Sequence, residues 1–139
     1  MEQSTELSRS EGPPITPAAH AVLDYAVAAT FIAKGISLMG THRRAAGLAM
    51  LNGGMVLGMS LLTDYPGGVW KQLSFKTHRT GDVYQAALAG FGPILLGFQH
   101  DPEAGFFYAQ AASEVGVIAA TDWDGDTSSP PQGASAELM

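Results

Sequence analysis

Three features of this 139-residue sequence predict an all-α protein with four transmembrane helices, built as two tandem helical hairpins with disordered tails. The first is an internal repeat. Residues 20–65 and 78–123 align without a gap at a constant offset of 58 and share 12 identities. The second is the placing of charge. Four apolar segments, 18–39, 45–63, 80–99 and 104–121, contain only Asp24, Lys34, Asp82 and Glu114 as charged residues. The third is the turn chemistry that separates those segments.

The identities matter because of their type. All four histidines of the chain pair across the repeat, His20 with His78 and His42 with His100. Asp24 pairs with Asp82, and Thr63-Asp64 with Thr121-Asp122. Self-similarity at one fixed period marks duplicated structural units. A water-soluble bundle is the competing reading, but a soluble helix keeps a charged or polar face toward water. Segment 45–63 has no charge at all, and each segment is about long enough, at ~20 residues, to cross a hydrocarbon core.

Residues 1–15 are polar, contain Pro and lack an apolar run after a basic start. They read as a disordered arm rather than a cleavable signal peptide. The helical domain covers 16–123. Thr16 and Pro17 open helix 1, with a side-chain oxygen for the cap and a proline where its missing N–H is harmless. Gly40 to Arg44 form a turn short enough to force helix 2 back antiparallel. Helix 2 carries Gly54-x-x-x-Gly58, a spacing that lets helices approach closely in lipid. Pro66, Gly67 and Gly68 stop it. The linker 66–77 holds Trp70, Lys71, Phe75 and Lys76, a mixture suited to the headgroup layer. Helix 3 contains Pro93, which should bend it. Asp101-Pro102 supplies a cap and first residue for helix 4. Residues 124–139 read as a disordered acidic tail.

Two spans per copy give both copies one orientation, related by an axis along the membrane normal. Both tails and the linker share a side. Arg9, Lys71, Lys76 and Arg79 there, against Arg43 and Arg44 opposite, favour cytoplasmic tails in a bacterial inner membrane.

The candidate site follows from the repeat. His20 and Asp24 are four residues apart and share a helix face, as do His78 and Asp82. Antiparallel return brings Asp64 and Asp122 to the same rim. The structural reading of His20, Asp24, Asp64, His78, Asp82 and Asp122 is a polar lock between hairpins, because buried polar groups in lipid need partners. The alternative is a ligand site for a divalent metal or a bis-His haem. No cofactor is otherwise predicted. His42 and His100 are expected to be solvated in their turns. Lys34 and Glu114 break the symmetry, facing Gly92 and Val56 in the alignment, and form a candidate intramembrane ion pair.

The set His20, Asp24, Tyr25, Thr63, Asp64, Tyr65, His78 and Asp82, with the run Gly92-Pro93-Ile94-Leu95-Leu96-Gly97-Phe98, resembles the SPW-repeat small bacterial membrane proteins over about residues 18–123. The resemblance implies four spans and no established activity. The family's Ser-Pro-Trp triplet would fall at Lys34-Gly35-Ile36 and Gly92-Pro93-Ile94, where only Pro93 is kept.

Cys is absent, which excludes disulfides and thiolate chemistry, and a net charge of −6 argues against nucleic acid. No nucleophile–base pair or phosphate loop is present. The expectation is a non-enzymatic, multi-pass accessory subunit of a larger membrane assembly, respiratory or photosynthetic among the candidates. Its partners would be the bilayer and other membrane proteins or further copies of itself. A haem or metal module and a small transporter using Lys34 and Glu114 are the alternatives.

Overall fold

The computed structural model describes residues 12–128. Four helices account for most of them: α1 (Pro17–Leu38), α2 (Arg43–Leu62), α3 (Phe75–Leu95) and α4 (Ala104–Ala120). No strand occurs among the described residues. Two isolated bridges do, and both prove important. The fold is therefore all-α, as the repeat predicts. α1 and α2 are long and apolar enough to cross a membrane. α3 and α4 do not meet the same measure. Lys76, Arg79 and Asp82 interrupt α3, and α4 has only 17 residues.

Each hairpin packs along its length, and α2 packs on α3 to join them. Small residues set the spacing. A Cβ on Gly53 would sit 3.1 Å from the Ile32 backbone nitrogen, so α1 and α2 approach backbone to backbone there. Gly92 receives the Leu48 side chain in the same way across α2 and α3. The Gly54 and Gly58 pair expected to do this faces open space instead. The core is an aromatic stack of Phe31, Phe98 and Phe107 on a floor of Ala45, Ala49, Ala89 and Ala104.

The caps explain the boundaries. Thr16 accepts from the Ala19 N–H, and Ser74, its repeat counterpart, accepts from the Thr77 N–H. Ser74 moves the start of α3 back to Phe75, five residues before the apolar segment begins. Gly97 at φ +68 ends α3 early, and Arg44 Nη1 donates to the Leu96 carbonyl left open there at 2.8 Å. Asp101 does not cap α4 with its side chain, which goes to His42.

The bridges extend the repeat beyond its identities. The Leu73 N–H donates to the Leu62 carbonyl at 2.8 Å, and the Asp64 N–H to the Leu73 carbonyl at 2.7 Å. One offset away, the Ile15 N–H donates to the Ala120 carbonyl at 3.0 Å, and the Asp122 N–H to the Ile15 carbonyl at 2.8 Å. The start of each copy is thus latched to the end of the other. The expected disordered arm must shorten accordingly, since Ile15 is fixed. Residues 1–11 and 129–139, where the rest of the tails was expected, lie outside the described residues.

Candidate functional site

The latches place four side chains in a ring at one end of the bundle. His20 is fixed by α1 and by Thr121, with its Nδ1 2.9 Å from the threonine oxygen. His78 is fixed by α3 and by Thr63, with its Nδ1 2.6 Å from the oxygen. Each threonine hydroxyl has one proton and donates it to a carbonyl four residues back, Met59 for Thr63 and Val117 for Thr121, both at 2.6 Å. The threonine oxygens can then only accept. Both imidazoles therefore carry a proton on Nδ1, and both Nε2 atoms face the acids.

Those acids close the ring. His20 Nε2 donates to Asp82 Oδ2 at 3.1 Å and lies 3.3 Å from Asp24 Oδ1, so it carries a proton that a bound metal would have to displace. His78 Nε2 lies 3.0 Å from Asp24 Oδ2 and 3.0 Å from Asp82 Oδ1. Each carboxylate spans both imidazoles, one oxygen to each. The rings are 1% exposed. Although two oxygens are near it, His78 Nε2 makes no hydrogen bond of acceptable direction to either. The four ligand groups all lie within 4.8 Å of one another.

An aromatic lid covers the rim side. The His20 ring meets Trp123 edge-on at 4.9 Å and Phe75 at 5.4 Å, and Tyr65 lies 5.3 Å from His78. Tyr65 is fully buried and donates its hydroxyl to Asp24 Oδ2 at 2.8 Å. Burial first, and then the Asp24 carboxylate, push the Tyr65 phenol far above its ordinary value of 10.0. Its counterpart Trp123 donates instead to the Ile118 carbonyl at 3.0 Å, so Asp82 has no such partner.

On the inner side lies a cavity of about 60 Å³ bounded by His20, Asp24 and Asp82 at one end and by Gln85 and Glu114 at the other. Gln85 is held by Asn52, which it donates to at 3.0 Å, and Asn52 donates in turn to the Leu48 carbonyl. Glu114 is buried with the Gln85 amide as its neighbour, and neither of its carboxylate oxygens makes a hydrogen bond of good geometry.

The structure thus gathers His20, Asp24, His78 and Asp82 and excludes two acids expected with them. Asp64 is exposed and points at Lys71, 3.6 Å away. Asp122 accepts from the Asp124 N–H. Both contribute to the latch through their backbone N–H, which is why the repeat keeps the position without using the side chain in the ring. Lys34 and Glu114 do not pair. Lys34 sits over the Phe106 ring at 5.5 Å. At 1.5 Å per residue, Lys34 lies ~25 Å along α1 from the latched rim and Glu114 only ~10 Å along α4, so the two are at different levels. Sequence reasoning named Tyr65 only within the family resemblance, with no role in the ring, and missed Gln85 and Asn52. For Gln85 and Asn52 the signal was two amides on otherwise apolar segments.

His42 shows why chemistry and not proximity selects the ring. It groups with Asp101 and Glu103 at the opposite end. Its Nδ1 accepts from the Ala45 N–H and its Nε2 faces Asp101 at 2.8 Å. With Nδ1 occupied as an acceptor, the proton must be on Nε2, and no lone pair is left for a cation. His42 is a cap rather than the solvated residue expected; His100 is exposed.

Comparisons with family models, with curated proteins and with solved structures found no match for this chain.

Proposed function

We propose that this chain is a multi-pass membrane protein whose His20–Asp24–His78–Asp82 ring binds one divalent transition-metal ion. The observation that carries the reading is the pair of buried Nε2 atoms, each aimed at two carboxylate oxygens while its Nδ1–H is spent on a threonine. Holding Nδ1–H on an acceptor leaves Nε2 as the nitrogen that would bind a metal, in exchange for the proton it shares with the carboxylates. Two carboxylates would offset the charge of a divalent ion, and two imidazoles with two carboxylates suit metals of the zinc class.

The dimensions fit. Ligands at the usual 2.0–2.1 Å from a tetrahedral ion stand ~3.3 Å apart, and the nitrogen–oxygen distances in the ring run from 3.0 to 3.3 Å. A cavity of about 60 Å³ is too small for a porphyrin, so the ligand proposed is a bare ion rather than haem. When bound, the ion would cross-link the two hairpins, since each contributes one His and one Asp.

Four membrane spans are part of the same proposal. Val22, Ile36, Leu51, Phe91, Leu95 and Val115, drawn from all four helices, are more than half exposed. Such a belt around the bundle suits lipid. A kinship with the SPW-repeat proteins, which would imply the same four spans, is proposed with it, as is an accessory role in a larger membrane assembly. Fractionation tests the first part, with the full-length chain expected in the detergent-extracted membrane fraction. Elemental analysis of that material tests the second, with about one divalent ion per chain expected and loss of the ion in His78→Ala.

A further inference from the structure

A groove of about 840 Å³ runs between α3 and α4. Its floor is the small residues Ala86, Gly90 and Ala111, and its walls include Val83, Phe91 and Val115, each more than half exposed. The repeat explains the opening. Gly90 and Ala111 take the places of Ile32 and Gly53 in the first copy. There Ile32 sits on Gly53 so closely that a Cβ on the glycine would meet its Cγ1 at 2.8 Å. A Cβ on Gly90 would meet just the Ala111 Cβ, at 3.4 Å. The side chain that closes the first hairpin is missing from the second.

At the rim the groove runs into a polar recess of about 620 Å³, with Arg79, Val83 and Trp123 lining both. Lys76, Thr80, Tyr84 and Asp124 complete the recess. Lys76 is matched by Asp124 at 2.8 Å. Arg79 stands over the Trp123 ring at 5.8 Å. A guanidinium held by its face keeps its edge of N–H donors for the paired oxygens of a phosphate. The counterparts of Lys76, Arg79 and Tyr84 in the first copy are Ala18, Ala21 and Ala26. The basic cap and the open groove therefore belong to the same hairpin. From Arg79 to Phe91 is ~18 Å of helix, close to the ~15 Å of one leaflet of a hydrocarbon core.

We propose that recess and groove together hold one anionic phospholipid, with its phosphate on Arg79 and an acyl chain lying over Gly90 between Val83 and Val115. The inference rests on the membrane reading of the bundle and not on the metal reading of the ring. Charge selects the headgroup. Asp124 answers Lys76, which leaves Arg79 to meet the phosphate, and a zwitterionic headgroup would bring its own cation beside that guanidinium. Tyr84 and Trp123 mark the depth of the site, since both residue types favour the headgroup level.

The test uses the full-length chain in phosphatidylcholine vesicles, with Trp70→Phe leaving Trp123 as the one indole. Phosphatidylglycerol or phosphatidylcholine brominated in its acyl chains is titrated in as the quencher, and flotation of the vesicles reports insertion. The anionic lipid is expected to quench at about 5-fold lower mole fraction than the zwitterionic one, the equivalent of the ~1 kcal/mol that one basic residue contributes beside an anionic headgroup. Arg79→Gln should bring that ratio close to one, and Arg79→Lys should keep most of it. Gly90→Ile, which restores the residue of the first copy, should weaken quenching by both lipids. Equal quenching by the two lipids in the native chain, or a ratio untouched by Arg79→Gln, would overturn the site and leave the membrane reading standing. Quenching by neither in protein that floats would give the groove to a second copy or another protein segment and overturn the lipid. Protein that does not float would overturn the membrane reading as well.

Discussion

The two seams that join the hairpins, α2 against α3 and α1 against α4, are the same structure at the rim and different structures below it. At the rim each has a backbone bridge, a threonine and a histidine, related by the repeat offset. Below, Met59 fills the α2/α3 seam so closely that a Cβ on Gly81 would run into its Sδ at 2.6 Å. The equivalent positions across α1 and α4 are Val117 and Leu23, and a cavity lies there instead. Val56 on one side is answered by Glu114 on the other. The difference teaches that duplication built the ring, which needs both copies alike, while divergence beneath it left a cavity in one seam and filled the other.

The largest expected effect removes a shared member of the ring. Asp82→Ala takes a carboxylate from both histidines, and breaking a buried charge pair costs about 3–5 kcal/mol. A thermal or denaturant melt in detergent should show it, together with loss of bound metal. A mild effect would mean that the ring does not hold the seams.

Tyr65→Phe addresses the asymmetry at the rim, because only Asp24 has a phenol donor. Loss of a hydrogen bond to a charged group costs about 1.5–3 kcal/mol. The native phenol is held protonated above its ordinary value of 10.0. Its contribution to stability is therefore complete below that pH and declines above it, as the unfolded chain releases the proton that the folded chain keeps. Native protein should lose stability as pH rises past about 10, the unfolded value, and Tyr65→Phe should lose less over the same range.

Thr63→Val and Thr121→Val probe the part that the seams share. Each leaves a buried Nδ1–H without an acceptor, at a cost of about 1–3 kcal/mol, and the two melts should move by similar amounts. A large effect at one and none at the other would break the rim symmetry.

The smallest change is Val117→Met, which gives the open seam the residue of the closed one. Filling a cavity commonly adds about 0.5–2 kcal/mol. The melt should rise slightly.

Much of this was legible in the residues. The pairing of all four histidines exposed the duplication, and four-residue spacing put each His beside its Asp. Other parts were hidden for physical reasons. Ile15 and Leu73 bridge through backbone atoms, which leave no mark on side-chain identity, so the repeat looked shorter than it is. Asp64 and Asp122 were identical in the two copies, yet it is their N–H groups that the fold uses. Lys34 and Glu114 had the right charges but stand at different depths, which pairing by sign alone ignores. The glycines that matter for packing, Gly53 and Gly92, carry no spacing signal, whereas Gly54 and Gly58 carry one and face outward.

The most direct test of the central claim is the metal content of full-length protein extracted from membranes without chelator, compared with His20→Ala and His78→Ala. The account predicts about one divalent transition-metal ion per native chain, a melt that falls when EDTA removes it, and neither property in the two variants. Native protein free of metal, with a melt that neither EDTA nor added Zn²⁺ or Co²⁺ moves, would contradict it.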